Sequence, residues 1–122
     1  MVKGRKITGG KYKDFRKKKQ HSRPGIVRKV KLKETKQKII RGRGGNKKTV
    51  LLTTNVANIM NVKTKKAKTV QIKNVLETPA NRFLARQNIL IKGAIIETEL
   101  GKAKITNRPS QEGSIQAILI EE

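Results

Sequence analysis

Residues 41–49 read Arg-Gly-Arg-Gly-Gly-Asn-Lys-Lys-Thr and pack glycines and cations tightly together. Glycine lets backbone N–H groups approach a phosphate closely, and flanking Arg and Lys supply the charge. The spacing excludes a P-loop: Asn46 separates Gly45 from Lys47, and Thr49 falls one residue late for GxxxxGK[ST]. A dinucleotide fingerprint is excluded too, because no helical pattern follows. The chemistry that fits is a grip on a nucleic-acid backbone through Arg41, Arg43, Gly44, Gly45, Lys47 and Lys48. Asn46 can add a base or sugar contact. The plainer alternative is a glycine-rich hairpin loop that happens to be basic.

Other reactive groups are sparse. Glu97 and Glu99, two apart on a strand, share a face and are expected opposite Lys102 and Lys104 across a hairpin. Cross-strand charge pairing accounts for them without catalysis. His21 lies among cations with no Ser or Cys nucleophile motif nearby, so it suits a phosphate or stacking contact, or plain exposure. The chain has no cysteine, which removes disulfides and thiolate metal sites. With one histidine, a histidine metal cluster is excluded as well. No enzyme, cofactor or metal is expected.

The charge is uneven. Of 31 Lys and Arg residues, 20 fall in residues 1–48 against two acids, Asp14 and Glu34, so this segment carries +18 of the formal +23. Residues 49–122 keep the remaining +5. An excess of that size needs an anionic partner outside the protein. The candidate contacts in the basic front are Lys3, Arg5, Lys6, Lys11, Lys13, Arg16, Lys17, Lys18, Lys19, His21, Arg23 and Arg28. Binding through such residues releases counterions, so affinity falls steeply with salt. The only aromatics are Tyr12, Phe15 and Phe83. Stacking platforms for single-stranded bases are therefore scarce, which favours a structured RNA or a duplex.

The elements that position these residues divide the chain in two. Residues 1–24 have no hydrophobic period and cannot bury enough surface to offset roughly 1–2 kcal/mol per residue of ordering. They are expected to be a basic extension, disordered when free, with a tight bend at Gly9-Gly10. Residues 25–122 are expected to form the body. Alternation begins at Ile26 and runs through Leu32. Short β-branched runs follow at 50–54, 56–62 and 69–76, with Val70 and Ile72 on one face. Residues 82–87 are the one helical piece. Strands at 89–91 and 94–98, a hairpin partner at 102–106 and an apolar strand at 114–120 complete the pattern. Many short strands with frequent turn signals predict an all-β fold, a small closed or nearly closed β-barrel. With so few aromatics, its core must be Val, Ile and Leu. No apolar leader or spanning run of about 18 residues is present, so a soluble, intracellular protein is expected.

Three segments carry a resemblance to a known family. They are Thr8-Gly9-Gly10-Lys11, then RGRGGNKK at 41–48, then NILIKGAIIET at 88–98 with Leu100-Gly101-Lys102-Ala103-Lys104 and Arg108-Pro109. In order and spacing the chain resembles the archaeal and eukaryotic small-subunit ribosomal protein family S-eight-e, in its short archaeal form. Residues 20–27 (QHSRPGIV) depart from the family pattern. The resemblance implies a cytoplasmic ribosomal protein with a small β-barrel and a basic extension, bound to small-subunit rRNA beside other ribosomal proteins. It implies that Lys11, Arg41, Arg43, Gly44, Gly45, Asn46 and Lys48 face RNA, followed by Lys92, Lys102 and Arg108. The rival readings are an architectural DNA-binding protein, which needs a dimerising surface or a wedge residue, and a basic nuclease, which needs a His or carboxylate cluster. A membrane-active peptide needs an amphipathic helix that the pattern lacks. The chain is expected to be a monomer when free.

Overall fold

The structure, a computed structural model, describes residues 4–13 and 16–120. Lys3 and Phe15 lie outside the described residues. In chain order the elements are β1 Val30–Leu32, β2 Lys36–Arg41, β3 Lys47–Thr54, β4 Val56–Asn61, β5 Lys66–Glu77, α1 Arg82–Arg86, β6 Ile89–Leu90, β7 Ile95–Thr98, β8 Gly101–Ile105 and β9 Gln116–Leu119. Five of them, in the order β4-β5-β7-β8-β9, form a closed barrel. The ring shuts where β4 and β9 run parallel, pairing Asn58 with Gln116 and Met60 with Ile118. Closure leaves these strands no unpaired edge. The all-β barrel expected from the strand pattern is therefore present.

Packing inside the ring follows a size rule. Ala57 and Ile59, Ala94 and Ile96, Ala103 and Ile105, and Ile115 and Ala117 are all buried, each pair two residues apart. The register sets large against small: Ile96 faces Ala103, and Ile59 and Ile105 both flank Ala117. A narrow barrel has no room for a branched side chain at every inward position, so alternation of volumes fills it without strain. The long strand β5 shifts register between Ile72 and Asn74 and again between Val75 and Glu77. Such bulges bend a strand, and β5 pairs with both β4 and β7. Asn81 caps α1, its side chain accepting the Phe83 N–H at 3.0 Å.

The remaining strands form a second, open sheet in the order β2-β3-β1-β6. Its Val30, Leu51 and Leu90 join the same hydrophobic cluster as the barrel residues. The glycine-rich segment thus sits on this sheet and not on the barrel itself. Two further details differ from the sequence reading. No strand exists over 26–29: Ile26 and Val27 are 96 % and 82 % exposed, and β1 starts only at Val30. The neighbouring edge of β3 is occupied there by another group, since the Leu51 N–H donates to the Pro109 carbonyl at 3.3 Å. Glu97 does pair with Lys102, but Lys104 pairs with Ile95, because Glu99 is spent in the turn between β7 and β8.

Candidate nucleic-acid interface

The grip is a hairpin. Strands β2 and β3 pair from Ile39 with Thr49 to Arg41 with Lys47, so Arg41 and Lys47 stand side by side on one face. Between them, Gly42 and Asn46 close the loop through a 2.6 Å hydrogen bond from the Gly42 N–H to the Asn46 carbonyl. A single 3-10 turn, Arg43–Gly45, spans the gap. Gly44 and Gly45 have φ of 74° and 81°, a left-handed pair that side chains resist. A Cβ at either would meet nothing within 4 Å, so the backbone there is open to an outside partner. Arg41, Arg43, Gly44, Gly45, Asn46, Lys47 and Lys48 are all exposed. Asn46 spends its amide inside the loop, donating to the Arg43 carbonyl at 3.5 Å.

Loop 107–114 braces this hairpin against the barrel. Lys48 Nζ donates to Gln111 Oε1 at 2.6 Å, Gln37 donates to the Gly113 carbonyl, and Arg28 reaches the Ser110 carbonyl at 3.4 Å from Nε and Nη2. Arg28 and Lys48 therefore hold the grip as well as adding charge to it. Asn107 organises the loop from within. Its amide donates to the Ser114 carbonyl at 2.7 Å and to Glu112 Oε2 at 3.0 Å, while its oxygen accepts the Gln116 N–H. The loop lies so close to β3 that a Cβ on Gly113 would come 2.9 Å from Thr49 Cγ2. Gly113→Ala is expected to cost about 1–3 kcal/mol by overpacking. Thr49→Ser, which removes that methyl, should restore most of it, as read from urea midpoints of the single and double variants.

The described residues of the extension, 4–13 and 16–24, have local shape and are all exposed. A turn over Ile7-Thr8 that ends at Gly9 brings Arg5 and Lys11 into an antiparallel bridge. Lys6 N donates to the Gly10 carbonyl and Gly9 N to the Lys6 carbonyl, both at 2.9 Å, and Arg5 Nη1 donates to the Gly9 carbonyl at 2.9 Å. Gly9 has φ of 79°, which places the expected bend at this glycine pair. Lys6 lies 5.7 Å from the Tyr12 ring centre, a cation–π contact. Lys13, Arg16, Lys17, Lys18, Lys19, His21 and Arg23 are exposed, with a 3-10 turn at Gln20–Ser22. Lys92 and Arg108 are exposed turn residues, and Lys102 lies on β8 beside Glu97.

A further cluster was not among the residues singled out from sequence. The turn between β4 and β5 and the start of β5 bring Lys63, Lys65, Lys66 and Lys68 to one end of the barrel. The signal was present in sequence. Lys66 and Lys68 keep step with the buried Val70 and Ile72, which puts two cations on the inward side of a barrel strand. Among the described residues no group of three His, Asp or Glu could hold a metal, and no helix is long and apolar enough to cross a membrane.

A closed aliphatic barrel with nearly all its cations outside the core, concentrated on a hairpin and an exposed strap, defines a small, strongly basic β-barrel protein. Comparison with known families narrows this class. The family described as Ribosomal protein S8e matches residues 2–120, and the chain belongs to that family. It is similar to proteins named small ribosomal subunit protein eS8. The one from Methanococcus aeolicus is 52 % identical across 97 % of this chain and 93 % of its own length. The Sulfurisphaera tokodaii protein is 47 % identical over the same shares, and that of Methanosarcina barkeri 43 % across 96 % and 94 %.

Proposed function

We propose that the chain is a structural, non-enzymatic protein of the small ribosomal subunit, and that it holds folded rRNA by the phosphate backbone. The observation that carries this reading is the grip: Arg41 and Lys47 side by side, flanking a left-handed Gly44-Gly45 backbone with open space above it. Backbone amides and cations together make a phosphate cradle. The names of its relatives supply the assembly, the small ribosomal subunit. In this reading the basic extension, residues 1–24, takes its bound path only against rRNA, with Lys3, Lys11 and His21 among the contacts that neutralise crowded phosphates. Residues 25–122 fold beforehand and present the grip, with Lys92, Lys102 and Arg108 as outlying contacts. Neighbouring ribosomal proteins are the other partners, and the chain is a monomer before it joins them.

The test is competition. The full chain, bound to a labelled fragment of small-subunit rRNA, is challenged with unlabelled fragment or with duplex DNA at equal phosphate concentration and several salt concentrations. The folded rRNA is expected to displace the label at far lower concentration than DNA. Equal displacement by duplex DNA would overturn the reading in favour of a general architectural binder.

A further inference from the structure

We propose that the open end of the barrel is a seat for a single unpaired nucleotide extruded from the RNA, with its base in the barrel mouth and its phosphates on Lys66 and Lys68. The proposal rests on the rRNA-binding reading and names a second, separate contact for it. The mouth holds a cavity of about 390 Å³ lined by Ile59, Asn61, Thr64, Lys66, Lys68, Leu100 and Leu119. That size falls in the range of small-ligand clefts, about 300–1,000 Å³. Its floor is the core itself, since Ile59 is 2 % exposed and belongs to the central cluster. Leu100 and Leu119 supply further aliphatic lining, and Leu100 is 46 % exposed.

The lysines decide what fits. Lys66 and Lys68 occupy inward-side positions, in register with Asn61 and Ile59. An ammonium is expelled from a packed barrel interior, so cations on this side of β5 are tolerated only where the barrel opens to a charged partner or water. Neither has an acidic partner among the described residues. They stand two residues apart, about 6.7 Å along a strand, which is comparable to the separation of successive phosphates in one nucleic-acid strand. The rim is preset: Asn61 Oδ1 accepts the Lys63 N–H at 2.9 Å and the Thr64 N–H at 3.3 Å, fixing the turn that carries Thr64 into the mouth. Lys65 completes this turn in a left-handed conformation, φ 54°. A ligand for this cup needs an apolar part for the aliphatic lining and anionic groups along the one wall, β5, that carries both lysines. A nucleotide has that shape, and only an unpaired one can turn its base out of a helix to reach in.

Methyl-resolved NMR of the full chain separates the possibilities, with AMP, adenosine, inorganic phosphate and the dipeptide Glu-Leu as probes. AMP and adenosine are expected to shift the methyls of Ile59, Leu100 and Leu119, whereas phosphate alone leaves them in place. Lys66→Gln with Lys68→Gln should weaken AMP about tenfold, the worth of a charged contact, and leave adenosine unchanged. Leu100→Ser should weaken both. The seat is overturned if neither AMP nor adenosine moves these methyls, or if Glu-Leu binds more tightly than AMP, which would assign the mouth to an acidic protein neighbour. In either case the salt dependence contributed by Arg41 and Arg43 is unaffected, so failure of the seat is distinct from failure of rRNA binding.

Discussion

Replacing Arg41, Arg43 and Lys47 together by Gln is expected to lower affinity for a small-subunit rRNA fragment about 100-fold near physiological salt. Each phosphate contact contributes a slope of about 0.7–0.9 in log affinity against log salt. Three contacts therefore flatten the slope by about 2.4, which over the interval from roughly 1 M to 0.15 M salt amounts to about two powers of ten. The effect should be large because these side chains are exposed around an open loop and make no side-chain hydrogen bond among the described residues. Unfolding midpoints should stay within about 0.5 kcal/mol of the parent, as for other surface changes. Lys48→Gln is the contrasting control. Lys48 Nζ is bonded to Gln111 Oε1, so its loss should reduce stability as well as affinity. Removing residues 1–24, which hold ten of the Lys and Arg, should flatten the slope further while leaving the unfolding midpoint in place. Filter binding across a salt series reads both quantities. An unchanged slope in the triple variant would remove the grip from the mechanism.

The largest effect on stability is expected at Ile96. It is wholly buried on β7, between β5 and β8 in the ring, with Val75 and Ala103 as its registered neighbours. Ile96→Ala should cost about 2–5 kcal/mol, since the facing alanine cannot expand into the cavity. A domain of this size has only about 5–15 kcal/mol in total. The loss should appear as a lower urea midpoint with an unchanged slope. Ile39→Ala changes the same side chain on the outer strand of the open sheet, where Ile39 is 66 % exposed, and should shift stability by less than about 0.5 kcal/mol. Similar losses at the two positions would mean that the barrel is not the stabilising unit.

Much of this fold was legible beforehand, and the residues show why. Val70 and Ile72 alternate with polar neighbours, and both are buried. The bend at Gly9-Gly10 and the helical piece from Arg82 are local events, decided by glycine freedom and an Asn81 cap. The failure at Ile26 has the opposite cause. Alternation marks a strand only when another strand is there to pair with it, and at that edge Pro109 had already taken the Leu51 N–H. Of the expected facing of Glu97 and Glu99 with Lys102 and Lys104, only Glu97 with Lys102 forms, because the turn takes up Glu99 and sets the register. The lysines of the β4–β5 turn went unread as a site because their partners in the mouth, Leu100 and Leu119, lie more than thirty residues away in sequence.

By itself the sequence determined the sign and the distribution of charge, the aliphatic core, the strand class and the family, because these depend on residue identity and on spacing within a few residues. Only the tertiary structure decided that the strands divide into a closed ring and an open sheet, that the glycine-rich hairpin hangs from the open sheet, and that loop 107–114 braces it. Those outcomes depend on which distant edges find each other, through pairings such as β4 with β9 and contacts such as Gln37 with Gly113. No local pattern encodes such a pairing, because its free energy is gained only when both segments arrive.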